Sequence, residues 1–176
     1  MCIKSYRFVP ITAAALALLC GGAQSDEQAD RMAAAEKFAG TWVLSVQESD
    51  GASTADNDEL SKGLALYPHY LTLKKSGDYK RTHSNLFVSE AEEGTFSVVR
   101  VERELAAVDI SVTLIIRGDG PKRPATKFVR KEVWRLRDAD TLQRCFPADP
   151  KKQRPEKFKT KKGDGLILQT YKRVKE

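Results

Sequence analysis

The residues in this chain whose types invite chemistry are few. His69 and His83 are the only histidines, and Cys2, Cys20 and Cys145 the only cysteines. The histidines stand fourteen positions apart with no cysteine or carboxylate at ligand spacing. A hairpin between them would bring them closer, but a zinc site needs three or four ligands, so no metal is expected. Cys145 with a histidine would make a nucleophile pair only beside an activating motif, and none is present. The glycines form neither G-x-G-x-x-G nor a phosphate-cradling loop. Asp140 has the type for an acid, yet a turn before a strand explains it. No catalytic residue, no metal and no cofactor is expected, and the chain is not read as an enzyme.

The N-terminus sets the compartment. Lys4 and Arg7 precede an apolar run of 13 residues, Phe8 to Cys20, and small residues follow at Gly21, Gly22, Ala23 and Ser25. This is the three-part pattern of a secretory signal over 1–25, and the run is short for a bilayer span. Cleavage after Ala23 or after Ser25 meets the need for small residues. The mature chain is then exported, periplasmic or secreted, and is no integral membrane protein. Acylation at Cys20 is the lesser alternative, because Leu19 and Leu18 crowd the position before it. Cys145 is left alone, without an internal disulfide, and reads as a small apolar core residue. Nucleic acid is not an expected partner outside the cytoplasm.

Charge is uneven. Asp26 to Leu60 holds nine acids and two bases; Arg144 to Glu176 holds eleven bases and four acids. A basic end of this kind faces either solvent or an anionic partner.

Past the signal, 26–37 reads as a helical lead-in, with Met32, Ala35 and Phe38 on one face. Gly40 ends it and the period becomes two: Trp42, Leu44 and Val46 alternate with Val43, Ser45 and Gln47. Asp50-Gly51 is a turn, and 51–63 a polar loop with one helical turn near Glu59-Leu60. Further strands are expected at 70–75, 79–84 (with Leu86 to Ser89 extending the region), 95–101, 108–116, 127–137, 141–146 and 166–173. Turns are expected at Ser76-Gly77-Asp78, Glu93-Gly94, Gly118-Asp119-Gly120-Pro121 and Asp138-Ala139-Asp140. The clearest alternation is Val108, Ile110, Val112, Leu114 and Ile116. In 127–137 the apolar face of Phe128, Trp134 and Leu136 is interrupted by Arg130 and Glu132, expected at a solvated mouth. Pro147 to Gly165 is a long basic loop, of the kind that is often functional. About eight short strands without a βαβ rhythm make an all-β, up-and-down antiparallel barrel over 38–176 the expected fold.

Gly40-Thr41-Trp42 in the first strand and Arg173 in the last resemble the lipocalin kernel, in which the arginine packs over the tryptophan at the closed barrel end. Asp140-Thr141-Leu142, Cys145, Arg154-Pro155, Phe158, Gly163 or Gly165, and Arg173, with Val108-Asp109-Ile110, resemble a family of lipocalin-like domains of unknown function, abundant in planctomycetes and often exported. The resemblance covers Phe38 to Val174. It departs at Glu132-Val133-Trp134, where Gly-Ile-Tyr would be expected, and at the more basic Lys151-Lys152-Gln153. It implies a lipocalin-like barrel and no established activity.

Two functional expectations result. In the first, the barrel takes a small apolar or amphiphilic ligand lined by Leu71, Leu73, Phe96, Val98, Ile110, Val112, Leu114 and Trp134, residues that a filled core would use equally. In the second, the loop 151–162 binds an anionic envelope polymer or partner through Lys151, Lys152, Arg154 and Lys157, with Lys159, Lys161 and Lys162 beside them. Arg154 either grips an anionic group, bidentately if it is a carboxylate, or pairs with a carboxylate of its own chain while Phe158 plugs the barrel side.

Overall fold

A computed structural model describes residues 21–84, 88–118 and 124–175. Most of the expected signal, Leu86, and the 119–123 turn with Lys122 and Arg123 lie outside the described residues. Helix α1 (Gly21–Phe38) leads into strands β1 (Gly40–Ser49) and β2 (Ala52–Ser53). A 3-10 turn (Thr54–Asp56) and helix α2 (Asp58–Leu66) follow. Then come β3 (His69–Leu73), β4 (Asp78–Ser84), β5 (Val88–Glu102), β6 (Leu105–Gly118), β7 (Thr126–Asp138), β8 (Thr141–Pro147) and β9 (Leu166–Arg173).

From β3 on each strand pairs with the next, β1 pairs with β2 and β3, all antiparallel, and β9 returns to β1. The eight strands β1 and β3–β9 therefore close a lipocalin-like barrel, with β2 as a short appendage on β1. Closure removes the free sheet edges that would otherwise template aggregation. Two ends follow from the register. One holds Gly40, Leu73, Trp134, Leu142 and Arg173; the other holds Ser49, His69, His83 and Pro147.

Helix α1 lies against β5 and caps the first end. Its inward face is Ala34, Ala35 and Phe38, with Phe38 edge-on to Trp134 at 5.3 Å. Met32, expected on that face, is 66% exposed. Among the described residues the helix already includes Gly21, upstream of both expected cleavage points. Helix α2 is longer than the single turn expected. Asn57 caps it by accepting from the backbone N–H groups of Glu59 and Leu60, and Leu64 packs against the core. A cap and one apolar contact thus extend a helix that shows no full apolar stripe.

Glu93-Gly94 is not a turn. Both residues lie inside the 15-residue β5, where Gly94 opposes Val112. A Cβ on Gly94 would fall 1.8 Å from the Ser111 carbonyl oxygen. Glycine is needed there for close backbone approach, as it is in strongly curved strands. Among the described residues no helix is long and apolar enough to cross a membrane.

Candidate functional site

Interior-facing residues alternate along the strands except where the register shifts at 44–46, 98–100 and 136–138, and the barrel divides along its axis. The half nearest α1 is apolar. Phe38, Trp42, Leu71, Leu73, Phe96, Val98, Val108, Ile110, Val112, Trp134 and Leu142 form one cluster, each at most 8% exposed. Seven of the eight residues expected to line a ligand site belong to it; Leu114 is half-buried nearer the other end. These seven pack against one another as a core.

The Arg173 guanidinium lies 4.0 Å from the Trp42 ring centroid. It also donates to the carbonyls of Ala39, Ala139 and Lys37, while the Trp42 indole N–H donates to the Phe38 carbonyl at 3.0 Å. One side chain therefore ties the end of α1, the β7–β8 turn and the first and last strands together. Gly40 has φ +143°, and a Cβ there would meet the Arg173 guanidinium at 2.4 Å. That contact gives the Gly-x-Trp spacing its physical reason.

The middle of the barrel is charged. Glu92 on β5 accepts from Tyr79 at 2.8 Å, Arg81 at 2.8 Å and Arg130 at 3.0 Å. Glu132 on β7 accepts from Arg130 at 2.5 Å, Arg144 at 2.7 Å and the Trp134 indole at 2.5 Å. Glu132 and Arg144 are fully buried, and Glu92 and Arg130 nearly so. Arg130 and Glu132 are therefore not at a solvated mouth. They are buried because carboxylate and guanidinium saturate one another, which offsets a desolvation cost neither could bear alone. Burial alone would raise the carboxyl of Glu92, but Arg130 and Arg81 outweigh it and hold the group down at about 2. Glu132 is likewise held below the ordinary range by Arg144 and Arg130 against its own burial. Burial raises Tyr79 and keeps its hydroxyl a neutral donor.

Sequence reasoning missed Glu92 and Arg144 altogether. Their signal was parity: Glu92 shares a face with Phe96 and Val98, and Arg144 with Leu142 and Phe146. A charge on an apolar face marks a buried pair only when the complementary charge is on the same face of a neighbouring strand, and pairing of strands is what a sequence does not print.

The segment 148–165 crosses the outside of β8 as a strap. Every residue of β8 is buried, because the barrel covers one face and the strap the other. Cys145 lies under it, its thiol 3.8 Å from the Lys157 carbonyl. Burial first, then the charges of Asp164 and Glu132, push this thiol up to about 12, so it is unreactive as a nucleophile. The Arg135 guanidinium sits 4.5 Å over the Phe158 ring, and the Asp50 carboxylate accepts from the Gly163 backbone N–H at 3.1 Å. Arg154 is spent: it pairs with Asp109 and donates to the Glu132 carbonyl at 3.0 Å. This is the pairing with a carboxylate of its own chain, one of the two roles expected for it. Lys151, Lys152, Lys157, Lys159, Lys161 and Lys162 all point to solvent. Among the described residues, none has a carboxylate within 4.0 Å of its ammonium.

No family model, no curated protein and no solved structure matches the chain.

Proposed function

We propose that this protein is an exported, non-catalytic interaction module that binds an anionic polymer or partner of the cell envelope through its lysine-bearing strap. The observation that carries the reading is the anchored strap itself. Cys145, Phe158, Arg154 and Asp50 fix a segment whose six lysines face water without carboxylate partners among the described residues. Residues 149–164 hold seven bases, counting Arg154, against the three acids Asp149, Glu156 and Asp164, a local excess of four. Two of those acids cap backbone N–H groups, Asp149 that of Lys151 and Asp164 that of Lys161. An ordered display of like charge costs self-repulsion, which a polyanion relieves on binding, and the anchored backbone lowers the ordering cost of that step. Export, with cleavage after Ala23 or Ser25, and membership of the planctomycete-type family belong to the same proposal.

Binding to heparin and to polyphosphate, titrated across ionic strength, tests it. The expected result is association that weakens steeply as salt rises. Replacing Lys151, Lys152, Lys157 and Lys159 together by glutamine should abolish it with the melting temperature unchanged. No association at low salt, or association that the quadruple variant retains, overturns the reading.

A small apolar or amphiphilic molecule in the barrel has less support. The lining expected for it belongs to the packed core, and the charged network lies beyond it. That reading requires extra mass on the protein in native mass spectrometry after purification from its host; protein of bare mass only removes it.

A further inference from the structure

The end of the barrel away from α1 carries two side chains that the strap does not use. His69 and His83 are directly opposed in the β3–β4 ladder. They share parity with Leu71 and Leu73 on one strand and with Tyr79 and Arg81 on the other, so both face inward. Their ring centroids are 3.8 Å apart with the planes 29° from parallel. The Nδ1 atoms of both rings are buried, and neither has a hydrogen-bond partner among the described residues. A single orphaned buried nitrogen calls for a water or an ion; two on stacked rings invite one that serves both.

Glu90 on β5 is the next rung, directly opposite His83. Its carboxylate accepts from Arg81 at 2.9 Å. Arg81 is also held by Glu92 at 2.8 Å, so Glu90 can turn away without stranding a buried guanidinium. Neutral imidazole nitrogens suit zinc, copper and nickel, while calcium and magnesium demand oxygen.

We propose that His69 and His83, stacked across the β3–β4 ladder with both Nδ1 atoms unpartnered, form a binding site for a divalent transition-metal ion of the zinc, copper or nickel class. Glu90 is the adjacent carboxylate, and solvent completes the coordination. In the stacked arrangement the rings lie face to face, so holding one ion between both Nδ1 atoms requires rotation about the ring torsions. The ring torsion is a broad sp³–sp² one, so this motion is easy. Among the described residues no group of three or more histidine, cysteine or carboxylate side chains is assembled at metal-binding distance. The site is accordingly an exchangeable one with open positions, unlike a closed structural centre. It stands independently of the strap.

Calorimetric titration of the untagged protein with Zn²⁺, and electron paramagnetic resonance with Cu²⁺, test the site. One ion per chain is expected, with hyperfine coupling to two imidazole nitrogens. Losing a mere supporting partner of a metal site weakens binding on the order of 10–100-fold, so His69→Asn and His83→Asn should each cost about tenfold or more. Circular dichroism establishes that the variants fold. If either does not, protection of the wild-type histidines from diethylpyrocarbonate by Zn²⁺ replaces it, and full protection is expected. Absence of binding, binding that both variants keep, or histidines modified equally with and without Zn²⁺ overturns the proposal. Each of those results means that water alone serves the two rings.

Discussion

At the scale of single residues, the charged side chains inside the barrel are the most consequential. Glu132 holds Arg130 and Arg144 in place, and both guanidiniums are desolvated. Glu132→Gln leaves Arg130 on Glu92 and Arg144 with only the Tyr79 and Tyr171 hydroxyls, a buried charge uncompensated. Breaking a buried pair in this way costs about 3–5 kcal/mol, and denaturant titration should show a loss of that size. A change below about 1 kcal/mol would mean that water reaches the network. Replacing Glu132, Arg130 and Arg144 together by apolar residues of similar volume should be far less damaging, because no charge is then stranded. The Trp42–Arg173 pair acts differently. It stacks a cation on an aromatic face, a contribution of about 0.5–2 kcal/mol, and it joins four chain segments at one point.

At the scale of elements, β5 and the strap depart furthest from ordinary expectation. Glycine in a strand weakens it, yet β5 runs through Gly94 for 15 residues because the backbone of β6 passes close by. Gly94→Ala should push β5 and β6 apart and lower stability by about 1–3 kcal/mol, the range of core overpacking. Thermal unfolding of the variant measures it, and an unchanged melting temperature would mean that the strands separate freely. The strap behaves as an element although it lacks regular hydrogen bonding. Its anchors make β8 buried on both faces, which is why alternation fails in β8 while it holds in β6.

At the scale of the whole molecule, the network links stability to pH. Glu92 titrates near 4.5 when exposed and is held at about 2 in the fold. A depressed carboxyl stabilises the fold above its unfolded value and ceases to do so as the pH falls through the folded one. This contribution, on the order of 3 kcal/mol, is complete above about pH 5 and should vanish between pH 4.5 and 2. Glu132, shifted the same way, adds to it. His69 acts earlier. Burial, then the neighbouring His83 and Arg81, lower it from 6.5 to about 4. The unfolded chain therefore takes up a proton that the metal-free fold refuses, and stability falls as the pH drops from 6.5 towards 4. Urea midpoints measured from pH 8 to pH 2 should decline in two stages. A flat profile down to pH 3 would contradict the buried placement of these groups.

Much of the barrel was legible in the chain because its signals are local. Alternation in Val108–Ile116 comes from the two-residue period of a strand, and Gly77 and the 138–140 turn mark reversals by backbone preference alone. Gly40-Thr41-Trp42 and Arg173 pointed to closure through a resemblance. Glu93-Gly94 misled because glycine serves both turns and close approaches, and only the position of β6 distinguishes them. Arg130 and Glu132 misled for a related reason: a charge in a strand looks solvated until its partner is placed.

By itself the sequence determined an all-β chain of short antiparallel strands and a basic segment before the last of them, since period, composition and turn chemistry are properties of neighbouring residues; export remains part of the proposal. Tertiary structure alone decided that the barrel interior places paired charge beside an apolar core, that Arg154 pairs with Asp109, and that His69 and His83 meet. Each of these depends on which strands lie side by side, and that follows from the packing of the whole chain.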